Sequence, residues 1–374
     1  MVGPSMALRG GMTEVVRSYA AKGIFETWPA RYVETYQGSA PRGGFWRKPG
    51  IRGLSTQLRA WLPALYRVAA LLGQGRVALV HVHGATHGSF WRKSGICALA
   101  SFFRVPYVLH LHSGKFHDFY TRDCGYLARA WVRKILRDAT RIIVLSRQAR
   151  DEVHNIEPGA RITIIRNPVN APNCLGPLRK PGRTVLFLNW LVGHKGIYDL
   201  LGAIPEVLRA VPEARFVLAG AGEIDAIRQL VSSLNIEEAV ELPGWVEGSK
   251  KDELLRAADI FVLPSYFEGM PMGVLESMAH GIPVVATSVG GVPDVIEDHV
   301  NGLLVEPRQP QALAGAIIAL LTDDALRSRL REAAHDEVRR RYSPESVIAD
   351  LGMLYRELGF DIGLVKRRTV SNGS

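Results

Sequence analysis

Short apolar runs separated by longer amphipathic stretches organise this chain. In the first half, Val77 to His83, Tyr107 to His112, Arg141 to Ser146 and Ile162 to Arg166 are brief and apolar, which predicts buried strands. Between them, Phe90 to Phe103, Tyr120 to Asp138 and Arg147 to Asn155 have the length and pattern of helices. Such alternation predicts βα units on a parallel sheet. Asn167 to Arg183 then holds four prolines and two glycines, a composition that suits a link between domains. A second series follows, with strands expected at Val185 to Trp190, Arg215 to Ala219, Val240 to Pro243, Ile260 to Pro264, Pro283 to Thr287 and Gly302 to Val305. The pattern therefore predicts an α/β protein of two doubly wound, Rossmann-like domains with a cleft between them. The expected boundaries are 1–168, a linker at 169–183, 184–342, and a tail at 343–374. In the tail, Arg327 to Leu358 is helical and charged, with Ser343 placed to cap a helix that starts at Pro344, and Lys366-Arg-Arg opens a frayed end. At the other end, Met1-Val-Gly-Pro leads straight into the loop ending at Gly10-Gly11, which leaves room for only a very short first strand. The expectation is that upstream codons encode an apolar segment of roughly five to ten residues, the usual strand length.

A chain of 374 residues exceeds what one core supports, which agrees with two domains. Charge is unevenly spread. Through Asn170 there are 25 Lys+Arg against 9 Asp+Glu, and the remainder has 21 against 27, so the halves carry +16 and −6. The basic half should seek an anionic surface or a phosphorylated partner. Interleaved aromatics and nucleic-acid motifs are missing, so no nucleic-acid partner is expected. Cys97, Cys124 and Cys174 show no paired spacing, which suits a reducing compartment and neither a disulfide framework nor a zinc site. With no signal peptide and no membrane-spanning run, the expected location is cytoplasmic, peripheral on the inner face of the membrane.

The stretch richest in chemistry runs from Ser265 to Gly281. Ile260 to Pro264 reads as a buried strand, Gly269, Pro271 and Gly273 break the pattern, and Val274 to His280 returns as a helix. Glu268 then lies at the carboxyl lip of a strand, where open α/β sheets bind ligands, and Glu276 lies early in the following helix. Carboxylates accept hydrogen bonds from sugar hydroxyls, while a helix N-terminus attracts anions, so a polyhydroxylated anionic ligand suits the place. On spacing alone, a helix glutamate and an unrelated loop carboxylate fit equally well. Gly10-Gly11 opens the first helix, as an ordinary βα turn also would. His110, His112 and His117 cluster at a strand end, with His110 and His112 on one face, and read as structural or as functional histidines; a zinc site lacks supporting Cys or carboxylates. Lys195 precedes Gly196 at a strand–loop–helix junction, where a solvated charge is the commonest outcome. Gly220-Ala-Gly222-Glu223 closes a strand and opens a helix.

Glu268-Gly269-Met270-Pro271-Met272-Gly273-Val-Leu-Glu276, with Ala279-His-Gly-Ile-Pro-Val-Val-Ala-Thr and Gly290-Gly-Val-Pro-Asp, resembles the donor-site region of the retaining glycosyltransferases of family 4, which have the GT-B fold. Gly10-Gly11, His112, Lys195-Gly196, Gly220-Ala-Gly-Glu223 and Asn301-Gly-Leu-Leu-Val occur in the family's order, so the likeness spans nearly the whole chain. It implies hexose transfer from a UDP- or GDP-sugar with the anomeric configuration retained. Catalytic positions would be Glu268, His112 and Lys195, with the Lys195 ammonium on the donor diphosphate. Donor-binding positions would be Gly10, Gly11, Gly222, Trp245 at the nucleobase (a core or hinge tryptophan fits its position equally well), the Gly269 to Gly273 backbone at the sugar, and Glu276 at the ribose. His110 and His117 are left on the acceptor side. No metal and no cofactor is implied, in keeping with the lack of an Asp-x-Asp motif. One departure stands out: a phosphate-binding arginine is common five residues before the lysine, and this chain has Trp190 there.

Two other classes bind nucleotide sugars on a similar plan, a sugar-nucleotide epimerase and a GT-B partner subunit without transfer activity; Trp190 favours the second of these. The basic half should face the acceptor. Arg42, Arg47, Lys48, Arg52 and Arg59 are mixed with Phe45, Trp46, Ile51, Leu54, Leu58, Trp61 and Leu62, which suits either an interfacial segment or an amphipathic core helix. The acceptor expected from this is a lipid-linked sugar, such as a polyprenyl-diphosphate saccharide of a surface polysaccharide.

Overall fold

Every strand pairing among the described residues is parallel, as runs buried on both faces require. The structure is a computed structural model that describes residues 1–8, 11–35, 51–172, 175 and 182–360, with 51–60 by their backbone alone. The chain divides into two units, Met1–Pro168 with Pro344–Ser374, and Val169–Ser343.

Unit 1 holds β1 (Val2–Gly3), β2 (Val33–Glu34), β3 (Val80–Gly84), β4 (Tyr107–Leu111), β5 (Arg141–Val144) and β6 (Ile162–Ile164), in the order β2-β1-β3-β4-β5-β6. β1 is two residues long, yet it lies inside the sheet, with Val2 in register with both Val33 and Val82. One core cluster packs β3, β4 and β5 against the helices His87–Phe102 and Tyr126–Asp138. The other packs Val15, Tyr19, Val108, Ile143 and Ile165 against Val347, Leu351, Leu354 and Tyr355 of the helix Pro344–Glu357. Burying each of these large side chains contributes about 1.5–3 kcal/mol, so that late helix is a structural part of unit 1.

Unit 2 holds β7 (Thr184–Leu188), β8 (Arg215–Ala219), β9 (Val240–Gly244), β10 (Ile260–Leu263), β11 (Val284–Thr287) and β12 (Leu303–Val305), in the order β12-β11-β10-β7-β8-β9. From β7 the chain moves outward to β8 and β9, then returns to the other side of β7 at β10. Strand order therefore reverses between β7 and β10. Loops leaving the two strands part in opposite directions there, which opens a crevice at their carboxyl ends.

Three expectations needed adjustment. The run at Val77 becomes a strand only from Val80. The helix expected over Tyr120 to Asp138 is broken: a π-helical turn, Phe119–Asp123, ends at extended Cys124 and Gly125 before Tyr126–Asp138 begins. Gly273 does not interrupt the helix after β10. That helix runs Met272–Ala279, and Gly273 is the point where it packs closest to the sheet, a Cβ there being 3.0 Å from the Phe261 ring.

Candidate active site

The crevice of unit 2 is built by two close backbone approaches. After β7 the chain forms one 3₁₀ turn, Gly193–Lys195, and stops at Gly196, whose φ is 73°. A Cβ at Gly196 would lie 1.8 Å from the carbonyl oxygen of Pro264, so only glycine lets this loop close against the end of β10. Tyr266 N–H donates to the His194 carbonyl at 3.0 Å and ties the loops together. On the other side of Glu268, Gly290 has a φ of 60°, and its Cβ would fall 1.7 Å from the Glu268 carbonyl oxygen, which accepts from Gly291 N–H at 3.1 Å. The glycine pair in Gly290-Gly-Val-Pro-Asp thus grips the backbone of Glu268.

Held this way, Glu268 is 8% exposed, and its Oε1 accepts from Lys195 Nζ and from the Ser265 hydroxyl, each at 2.7 Å. The structure therefore joins Lys195 and Glu268 at the point where strand order reverses. Phe267, the residue before Glu268 in the loop after β10, stacks on the His194 ring at 5.1 Å and lies under the Lys195 ammonium at 5.8 Å. Glu276 sits on the helix Met272–Ala279 and accepts from Lys251 Nζ at 2.6 Å. Between the two glutamates, Met270 and Pro271 are buried and Gly269, Met272 and Gly273 are half-buried, so the loop offers mainly backbone. Gly222 pairs with Leu191 in a parallel bridge, where Glu223 N–H donates to the Leu191 carbonyl at 2.8 Å. Trp190 and Trp245 meet with ring centroids 5.1 Å apart, and each is 37% exposed. Neither is a core residue. Trp190 is also rigidly mounted, because Asn189 N–H donates to the Ala219 carbonyl and Leu191 N–H to the Ala221 carbonyl.

In unit 1 the histidine cluster differs from the expected one. His110 and His112 share a face and stack at 4.1 Å, but His117 is exposed on the turn Phe116–Asp118. Its place is taken by His81 and His83 of β3, since His83 is in register with His110. Tyr355 lies with its hydroxyl 2.5 Å from His81 Nδ1, His81 Nε2 lies 3.3 Å from His110 Nδ1, and His83 Nδ1 lies 2.9 Å from His112 Nε2. Burial holds the Tyr355 phenol well above its ordinary range, so it keeps its proton and donates it to His81. Burial and mutual repulsion push His81, His83 and His110 well below the usual imidazole range. His112 is pushed down to about 3 by burial first and by the Lys93 ammonium second.

One ring nitrogen from each of His81, His83 and His110 lies within 4.8 Å of the other two, a spacing that a cation could bridge. The charge around them opposes this. Beyond one another and His112, the side chain that acts on these rings among the described residues is the basic Lys93, with no carboxylate. A buried cation held only by neutral imidazoles beside a lysine would be poorly compensated. The four rings form a hydrogen-bonding ladder of neutral imidazoles.

Lys251, Ser265, His81 and His83 were missed in the sequence. The two histidines carried a signal, since His81-x-His83 repeats the alternation of His110-x-His112. Lys251 carried none. Gly11 is the exposed first residue of the helix Gly11–Ala21, while Gly10 lies outside the described residues. The expected interfacial stretch lies outside them up to Lys48, and from Ile51 its backbone is the start of the helix Ile51–Gly73. Of its members, Trp61 is half-buried, with its indole N–H donating to the Arg92 carbonyl at 2.9 Å, and Leu62 is 55% exposed. No described helix is long and apolar enough to cross a membrane.

Comparison with known proteins follows the same division. Residues 176–337 match the family model for Glycosyl transferases group 1, and residues 9–168 match the Glycosyl transferase 4-like domain. An uncharacterized glycosyltransferase of Methanocaldococcus jannaschii is 28% identical over 308 residues, 76% of this chain and 77% of that one. A phosphatidyl-myo-inositol mannosyltransferase of Mycobacterium leprae is 32% identical over 220 residues, 57% of each chain. Among solved structures, Anabaena HepE in complex with UDP superposes with a TM-score of 0.74 at 18% identity, covering 95% of this chain and 98% of that one.

Proposed function

The chain belongs to the family 4 glycosyltransferases of the GT-B fold, and from that premise we propose that it moves a hexose from a UDP- or GDP-sugar to a hydroxyl of a lipid-linked saccharide, with the anomeric configuration retained. The observation that carries the reading is the Lys195–Glu268 pair at the reversal of strand order in unit 2. Departure of a nucleoside diphosphate leaves negative charge that must be stabilised where it develops. Lys195 supplies a positive charge on a loop fixed by Gly196, and Glu268 supplies an acceptor for sugar hydroxyls, steadied by Ser265. Glu276 is assigned to the ribose, with Lys251 holding its carboxylate in place. The exposed Trp190–Trp245 pair offers an aromatic surface for the base, and His112 keeps the catalytic role implied by the family resemblance. The reaction in this reading needs no metal. A lipid-linked acceptor is supported by the basic first half and by the name of the mannosyltransferase relative.

The experiment is a screen of UDP- and GDP-sugars with a polyprenyl-diphosphate saccharide acceptor, following sugar transfer and nucleotide release with and without EDTA. Transfer from one donor, unaffected by EDTA, is the expected result. Trp190, which brings no charge to the diphosphate, favours a second reading, a subunit that binds nucleotide sugar without transfer. Saturable donor binding with neither transfer nor release would establish that one.

A further inference from the structure

Lys93 is an anomaly in unit 1. It lies on the helix His87–Phe102, is 3% exposed, and among the described residues makes one hydrogen bond, to the Ser89 hydroxyl at 2.9 Å. Among the described residues no carboxylate pairs with it. Lysine is almost never fully buried unless paired, because an uncompensated ammonium in a low-dielectric interior is costly. Burial, and then the Arg92 charge, push this ammonium down to about 7.

The surroundings are rich in donors. Ser89 Oγ already accepts from Lys93 and from Ala85 N–H, so the serine's own proton is left to donate. His83 and His112 share one hydrogen bond, Asn167 hydrogen-bonds the His112 ring, and Nε2 of His83 is buried without a partner among the described residues. Two neutral imidazoles carry two N–H groups between them, so when the Asn167 amide donates to His112 Nδ1, His112 Nε2–H donates to His83 and the His83 Nε2–H is left as an unused donor. Lys93 stands on the helix His87–Phe102, which packs against β3, the strand that carries His83, and its charge acts on both rings. Thr86 and Ser113, half-buried with their hydroxyls 3.5 Å apart, follow the carboxyl ends of β3 and β4.

We propose that Lys93, Ser89 and the His83–His112 pair form an anion subsite of unit 1 that holds a phosphoryl group carried by the acceptor. Several donors around a buried positive charge suit a tetrahedral dianion with many acceptor lone pairs. Such a ligand would compensate the ammonium and take up the unused donors together. The assignment to the acceptor rests on the glycosyl-transfer reading; the anion subsite does not.

The test is thermal unfolding of the full chain in inorganic phosphate against chloride at matched ionic strength, which requires no turnover. Wild type should show a saturable rise of about 2–4 °C in phosphate. Lys93→Met should show none, and in chloride it should unfold above wild type, because the buried uncompensated charge is gone. Ser89→Ala, which leaves the lysine in place, should need several-fold more phosphate for the same rise. No phosphate response in wild type, or an equal response in Lys93→Met, overturns the subsite. If Lys93→Met does not fold, the Ser89→Ala series decides, and a response equal to that of wild type overturns it. Repeating the titration in saturating UDP or GDP separates the sources. A phosphate response that persists supports an acceptor group, and one that vanishes overturns that assignment in favour of the donor's own phosphate.

Discussion

Lys195 and Glu268 hold each other at 2.7 Å, so neither can be changed without altering what the other does. Glu268→Ala and Lys195→Ala should each lower kcat far more than they raise KM. Their double variant should fall short of the product of the two losses, with a coupling of about 0.5–3 kcal/mol. Glu276→Ala should act chiefly on donor KM, raising it by about ten- to a hundred-fold, since a hydrogen bond to a charged group is worth about 1.5–3 kcal/mol. Steady-state kinetics on folded variants check both; unchanged constants for Glu268→Ala and Glu276→Ala would remove the donor site from this crevice. Both glutamates were legible in the sequence because a strand, a glycine-broken loop and a helix start sit next to one another there. Lys251 was not, because it reaches Glu276 from a helix two elements earlier, and no local pattern marks such a meeting. The Trp190–Trp245 contact was hidden for the same reason.

Strands β3 and β4, with the residue that follows β4, carry an unusual load, four histidines on one shared face. The strands were visible as apolar runs, but the ladder depends on register between neighbours, and register between parallel strands is set by tertiary packing. Its thermodynamic effect has a definite sign. In the folded chain His81, His83 and His110 titrate well below the ordinary value of 6.5, and His112 near 3. Unfolded, all four bind protons as pH falls through about 6.5. Over that window the unfolded state holds more protons, so stability rises with pH and is lost on acidification. Each fully shifted group adds about 1.4 kcal/mol per pH unit, giving an upper slope of about 5 kcal/mol per unit below pH 6.5. Thermal midpoints should therefore drop steeply on stepping from pH 7 to pH 5, with a shallower fall in His81→Leu. A flat profile would mean that the rings are hydrated and charged in the folded protein.

At the scale of the whole molecule, the two parallel sheets were readable because βα alternation repeats so often that errors of one or two residues at strand ends do not matter. The charge division was readable by counting, and it leads to a membrane experiment. Attraction to anionic lipid is worth about 1 kcal/mol per basic residue near the surface, so the protein should cosediment with anionic vesicles at low salt and be released by high salt. Equal failure to bind anionic and neutral vesicles at low salt would point to a soluble acceptor.

The membership of the helix Pro344–Glu357 in unit 1 has a consequence for how the protein is made. Val169 N–H donates to the Tyr342 carbonyl at 2.8 Å, so the chain enters and leaves unit 2 side by side, and unit 2 can close on itself as soon as its last residues emerge from the ribosome. Unit 1 cannot. Its final strand, Ile162–Ile164, is translated some 180 residues before the helix that covers Tyr19, Val108, Ile143 and Ile165, which at 5–20 residues per second is a delay of roughly 10–40 s. Through that interval the nascent first half presents a bare apolar face and a His81 that lacks Tyr355, and unit 2 closes only about a helix's length of chain before that face is covered. The order of birth and the order of completion are thus inverted, and the first-made unit is the last to close its core.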